Sequence, residues 1–222
     1  MSDAVSWLYR QLFRIWRRQR FQWFLDEIKP IVTDRILDVG GHPESWTQFD
    51  PVGRSVDVLN IYPIPSAATH AAHRIRTLVG DGCHLDMSDG TYEIVFSNSV
   101  IEHVGDWEQQ RLFAAEVARV GRSLWIQTPA YECPLEPHYL APLIHYFPRW
   151  FQRRTIRWLT PRGLLERWSQ QQVEEMVAST RLLTKREMVA LFPGCCILVE
   201  RMFGFIPKSY IAVRVVARQS SH

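Results

Sequence analysis

From Arg35 onward, short blocks of nearly continuous apolar residues alternate with longer stretches in which apolar residues recur every three or four positions. The blocks are Arg35-Ile36-Leu37-Asp38-Val39 running into Gly40-Gly41, Ser55-Val56-Asp57-Val58-Leu59-Asn60-Ile61, a weaker Arg74 to Val79, Tyr92-Glu93-Ile94-Val95-Phe96-Ser97, and Arg122-Ser123-Leu124-Trp125-Ile126-Gln127. Each predicts a strand covered on both faces, because a half-exposed strand would alternate polar and apolar residues more strictly. Turn residues punctuate them: Gly40-Gly41, Pro63 and Pro65, Asp89-Gly90 and Thr128-Pro129. Between the fourth and fifth blocks, Leu112, Phe113, Val117 and Val120 form the apolar face of a helix over 107–120. Strand alternating with helix predicts an α/β fold with a mostly parallel sheet and helices on both faces.

The chain closes differently. Thr184 and Glu187 have the spacing of a capping box opening a short helix that runs to Phe192. Cys196 to Phe203 and Tyr210 to Val216 predict two further strands joined through Gly204-Phe205-Ile206-Pro207-Lys208, for seven strands in all with an antiparallel end. Residues 129–183 interrupt the alternation with a long stretch rich in proline and aromatics. The stretch follows the carboxyl end of the fifth strand, where open α/β sheets hold their ligands. A helical lid or substrate wall is therefore expected there, within a single domain over 1–222. Ahead of the sheet, residues 1–30 predict an amphipathic helix, with Leu8, Leu12, Ile15, Trp16 and Trp23 on one stripe and Arg10, Arg14, Arg17 and Arg18 opposite. The stripe packs on the domain in one reading and rests on an anionic membrane surface in the other.

Composition narrows the partners. The 222 residues are 46% hydrophobic and 22% charged, a globular balance, and a net charge of +3 is small for a nucleic-acid reader. Cys83, Cys133, Cys195 and Cys196 form no CxxC pair or metal-type cluster, so reduced thiols and no metal are expected. No apolar run reaches the length of a membrane span and no secretory leader pattern opens the chain, which together point to a cytoplasmic protein.

The chemistry gathers at the strand ends. A nucleotide-like ligand on such a sheet needs a tight turn after the first strand and a hydrogen-bonding side chain at the tip of the second. Asp38-Val39-Gly40-Gly41-His42-Pro43-Glu44 offers the turn and Asn60 the side chain, with Asp57 as a second choice. Together with Gly80-Asp81-Gly82 and Phe96-Ser97-Asn98-Ser99-Val100-Ile101-Glu102-His103-Val104, these residues resemble the class I S-adenosylmethionine-dependent methyltransferases, in the small-molecule group with the "type 11" domain. The resemblance covers roughly residues 34–130 and implies a Rossmann-like sheet, S-adenosylmethionine as cofactor, and methyl transfer to an O or N atom of a small-molecule acceptor. It implies cofactor contacts at Asp38, Gly40, Gly41, His42, Asn60, Asp81, Gly82, Ser97, Asn98 and Ser99. Two positions depart from the family pattern: His42 and Glu44 stand where later glycines of the first motif fall, and Asn60 replaces the usual acid. These departures motivate an alternative, a catalytically degenerate scaffold that binds the cofactor.

The acceptor side is more open. His138, in Glu136-Pro137-His138-Tyr139, is the first candidate for a general base, followed by His145 and His103. His138 and His145 are otherwise hydrogen-bonded parts of a folded lid, and His103, after the fourth strand, could line the pocket. Arg149, Arg153, Arg154, Arg157, Arg162 and Arg167 stand among Trp150, Phe151, Trp158 and Trp168, either as a solvated basic face or as forks for an anionic acceptor. The absence of Gly-x-Gly-x-x-Gly disfavours a dinucleotide dehydrogenase. Neither the Asn/Asp-Pro-Pro-aromatic motif of amino-methylating DNA enzymes nor the Pro-Cys pair of cytosine methylases is present, so no nucleic-acid partner is expected. A third reading places the enzyme at a membrane through its N-terminal helix, acting on a lipid-linked or glycan acceptor.

Overall fold

A computed structural model describes residues 16–64, 74–136, 141–160, 163–164 and 168–216. The chain divides into two compact units, Pro30–Glu132 with Thr180–His222, and Met1–Lys29 with Cys133–Ser179. It enters through helix α1 (residues 16–28), which belongs to the second unit.

The first unit is a seven-stranded sheet. Strands β1 (Arg35–Val39), β2 (Ser55–Asn60), β3 (Ile75–Val79), β4 (Tyr92–Asn98) and β5 (Gly121–Pro129) are parallel where they pair, and β8 (Cys196–Met202) and β9 (Ile206–Arg214) close the sheet in the order β3-β2-β1-β4-β5-β9-β8. β9 runs antiparallel to both its neighbours, as the expected Rossmann-like fold with an antiparallel end requires. All five sequence blocks become strands. The three central ones, β1, β4 and β5, bury nearly every residue, which explains their continuous apolar character. β3 lies at the sheet edge and is only partly covered, which explains its weaker signal. Its Arg76 forms a two-pronged pair with the buried carboxylate of Asp57 on β2, to which the Tyr92 hydroxyl also donates. Asp57 is thus committed to holding strands together, leaving Asn60 as the polar group at the tip of β2.

Between β1 and β4 the chain order reverses, which makes this rim the topological switch point. A short helix α2 (Pro43–Trp46) follows β1. Helix α3 (Trp107–Val120) is capped by the Asp106 carboxylate, which accepts from Gln109 N, and buries Phe113, Val117 and Val120. Helix α6 (Lys185–Leu191) opens with both halves of the Thr184–Glu187 capping box in place.

One boundary differs from the sequence expectation. β9 begins at Ile206, so Pro207 lies inside a strand rather than in the turn. Pro207 pairs only with Arg201 of β8, next to a register shift, while the β5 pairing starts at Ser209. The proline thus sits at a bulge and outside the β5 ladder, positions where strands tolerate it.

In the second unit, α1 buries Phe21, Phe24 and Ile28 and exposes Arg17 and Arg18. A two-stranded ribbon of β6 (Leu135–Glu136) and β7 (Ala141–Pro142) is followed by a 3₁₀ turn at Ile144–Tyr146, helix α4 (Arg149–Leu159) and helix α5 (Gln170–Ser179). Ala141, Ile144, Ile156, Trp168, Val173 and Val177 form its small core. No helix among the described residues is long and apolar enough to cross a membrane.

Candidate functional site

A cavity of about 420 Å³ opens at the switch-point rim, within the size range of small-molecule sites. Its wall is assembled from the exits of three strands: Val39-Gly40 after β1, Leu59-Asn60-Ile61 after β2, and Gly80-Asp81-Gly82-Cys83 after β3. Ser99, Val100, His103 and Val104, beyond β4, supply a further side, and Gln109 and Phe113 of α3 complete it.

Glycine is needed at two of these positions. Gly40 has φ +78°, and a Cβ there would stand 2.5 Å from Val100 Cγ2. A Cβ on Gly82 would come within 2.9 Å of both Val39 and Phe113. A side chain at either place would force the walls apart, so the cradle depends on bare backbone.

The loop after β1 lacks the later glycines of the pattern it resembles and is held by two side chains instead. Asn60 Nδ2 donates to Gly41 O at 2.7 Å, and Trp46 Nε1 donates to Asp38 Oδ2 at 2.7 Å. An aspartate at position 60 could not make the first bond, because it has no hydrogen to give a carbonyl. His42 sits at the N-cap of α2, exposed, and neither it nor Glu44 is among the residues lining the cavity.

Asp38 lies beneath this turn, almost fully buried. Its Oδ1 is buried without a hydrogen-bond partner among the described residues. Burial pushes its carboxyl up to about 7, and the Trp46 bond only partly opposes that. Asp81 behaves oppositely. It is largely exposed, and the Cys83 backbone N–H donated to its carboxylate holds it below the usual range. The Cys83 thiol is pushed up to about 11, first by burial and then by Asp81, so it stays protonated.

Beyond β4, Ser97 Oγ donates to Val39 O at 2.9 Å and ties the β4 and β1 exits together. Ser99 takes a left-handed conformation with φ +56°, and its hydroxyl donates to Gln127 Oε1. Glu102 is buried and accepts from the Thr128 hydroxyl at 2.9 Å, fixing the turn that carries His103. Asn98 Oδ1 is buried with no hydrogen-bond partner among the described residues.

Of the residues expected from sequence, the cavity brings together Gly40, Asn60, Asp81, Gly82, Ser99 and His103. Asp38, Gly41, Ser97 and Asn98 stand behind or beside its wall. His145 belongs to the second unit, and His138 lies outside the described residues. Sequence reasoning missed Cys83, Gln109 and Phe113 as lining groups. Gln109 stands one helical turn before Phe113, so the same helix face carries both and the spacing could have flagged it.

The glycine-dependent walls and the polar Asn60, Asp81 and Ser99 leave room for a small ligand that carries hydrogen-bonding groups. Residues 38–123 match the family model described as "Methyltransferase domain". No curated protein matches the chain. Among solved structures, the chain is similar to the 1,6-didemethyltoxoflavin-N1-methyltransferase of Burkholderia thailandensis, solved with 1,6-didemethyltoxoflavin and S-adenosylhomocysteine, at 14% identity and TM-score 0.56, covering 97% of this chain and 87% of that one. It is also similar to the PH0226 protein of Pyrococcus horikoshii OT3, at 15% identity and TM-score 0.53 over 90% of this chain and 89% of that one. At such identities the likeness speaks for the fold, and the matched segment carries the motif residues. With its β3-β2-β1-β4-β5-β9-β8 sheet and glycine-walled rim, the chain has the Rossmann-like fold of these solved structures, and its residues 38–123 match a methyltransferase domain.

Proposed function

We propose that the chain transfers the methyl group of S-adenosylmethionine to an O or N atom of a small-molecule acceptor. One observation carries the reading: a single cavity of about 420 Å³ gathers Asn60, Asp81 and His103 between glycine-thinned walls. The cofactor, when bound, supplies a methyl group already activated by a positively charged sulfur. What remains for the protein is positioning, which good alignment makes worth about 7–11 kcal/mol.

The residues divide that work. Asn60, with its Nδ2 engaged by Gly41, keeps Oδ1 to accept from ribose hydroxyls. Asp81 remains ionised at the β3 exit and accepts from an adenine amino group. Val39, Leu59 and Phe113 give the apolar surface on which a purine ring excludes water. His103 is the one histidine of the three candidates in this wall among the described residues, and an imidazole suits proton acceptance from a hydroxyl near neutral pH. Cys83 and Cys133 are both buried outside any disulfide, in keeping with the reducing, cytoplasmic setting that is part of the proposal.

Production of S-adenosylhomocysteine against a panel of amine and hydroxyl acceptors tests the reading. With a hydroxyl acceptor, His103→Gln is expected to lower kcat by about 10²–10⁴ while cofactor affinity changes only a few-fold. Cofactor binding with no turnover on any acceptor would instead favour the non-catalytic scaffold.

A further inference from the structure

No residue of α4 lines the cavity. Trp150, Arg153, Arg154, Arg157 and Trp158 recur at i, i+3, i+4, i+7 and i+8, which places them on one stripe of the helix. Trp150 and Trp158 are 64% and 62% exposed, while Gln152 and Ile156 on the opposite side are buried. The Arg157 guanidinium lies 4.8 Å from the Trp158 ring, so charge and indole are interleaved. Arg149 adds a fourth positive charge, and the helix contains no acidic residue. Leu143 and Phe147, which precede the helix in sequence, and Leu164, which follows it, are exposed as well.

A stable globular surface rarely keeps so many large apolar side chains in water without a partner. Four arginines select an anionic partner, and tryptophans flanked by arginines suit the headgroup level of a bilayer, where the ring sits at the interface and the guanidinium reaches phosphate. Single-stranded nucleic acid also stacks on aromatics, but the exposed aliphatic Leu143 and Leu164 in the flanking segments gain nothing from bases and gain from acyl chains. Over residues 16–28, α1 is the weaker candidate, because Phe21, Phe24 and Ile28 are already buried. We propose that the Trp150–Trp158 face of α4 is a docking surface for an anionic lipid bilayer.

Co-sedimentation of the full chain with vesicles tests this. Vesicles of phosphatidylcholine with 30% phosphatidylglycerol are expected to bring the protein down, and pure phosphatidylcholine vesicles are not. Each arginine near an anionic surface contributes about fivefold to binding, so the triple variant Arg149→Gln, Arg153→Gln, Arg154→Gln should bind about 100-fold more weakly. Trp150→Ala with Trp158→Ala should weaken binding at high salt as well, where the electrostatic part is screened. These side chains are exposed, so both variants should keep the wild-type unfolding midpoint and cofactor affinity. The proposal is overturned if anionic vesicles fail to bind the wild type, or if the triple variant binds them equally. It is also overturned if Arg17→Gln with Arg18→Gln abolishes binding while the α4 variants do not, or if a single-stranded RNA binds the wild type more tightly than the vesicles do.

Discussion

The two units use the same residue types in opposite ways. In the sheet unit the largest aromatic side chain of a central strand, Trp125, is 0% exposed, and polar groups reach solvent at the strand ends. In the helical unit Trp150 and Trp158 face outward, and the buried positions of α4 are Gln152 and Ile156. Gln152 tolerates burial because its Nε2 donates to Phe147 O at 2.8 Å. Tryptophan therefore fills the core in β5, whereas on α4 it stands at the surface while Ile156 and the rest of that unit's apolar core lie on the other side. The difference separates the two proposals, chemistry at the rim of the sheet and contact on the face of α4.

Four substitutions break or sharpen that contrast. Trp125→Ala should empty a filled position in β5 and cost about 3–5 kcal/mol in urea unfolding. A loss under about 1 kcal/mol would mean that the strand is not packed as described. The next effect concerns pH. The Asp38 carboxyl rises from 3.8 to about 7 in the folded chain, so the fold favours its protonated form. The corresponding stability is fully present below about pH 4 and is lost as pH rises towards 7, by up to about 4 kcal/mol. Asp38→Asn, which can still accept from Trp46, should flatten unfolding free energy across that window. An unchanged slope would show that another group is responsible.

Asn60→Asp restores the acid common in the family but sets a carboxylate oxygen against Gly41 O. Affinity for S-adenosylhomocysteine should fall about 10- to 100-fold by calorimetry, the equivalent of one lost hydrogen bond and the repulsion that replaces it. A gain in affinity would show that the loop is held some other way. The smallest effect belongs to the second unit. Trp158→Ala, at a largely exposed position, should change stability by no more than about 0.5 kcal/mol. A larger loss would mean that the indole is part of a core after all.

Most of the sheet was legible because strands covered on both faces must read as continuous apolar runs, and Ile94-Val95-Phe96 or Leu124-Trp125-Ile126 admit few other fates. Pro207 misled because a proline's cost depends on which neighbour needs its N–H, and pairing partners are not visible along the chain. The strand-end residues Gly40, Asn60 and Asp81 were legible through motif and position. Cys83 and Phe113 were not, since they join the cavity only once α3 packs over the β3 exit, and Gln109 follows from Phe113 by its helical spacing. The mode of loop fixation was also hidden. Only the folded chain brings Trp46 back to Asp38 and Asn60 across to Gly41. In α4 the mixture of arginine and tryptophan on one stripe conceals which side is inward, and a buried glutamine reverses the usual inference.

Everything at the rim depends on whether an adenosyl ligand enters between Gly40, Asn60 and Asp81. Isothermal calorimetry with S-adenosylhomocysteine should give one site per chain in the wild type. Gly40→Ala, strained at φ +78° and crowded by Val100, should weaken that site more than tenfold in a protein whose circular dichroism confirms folding. No heat of binding at millimolar ligand, or equal binding by the Gly40→Ala protein, would contradict the assignment.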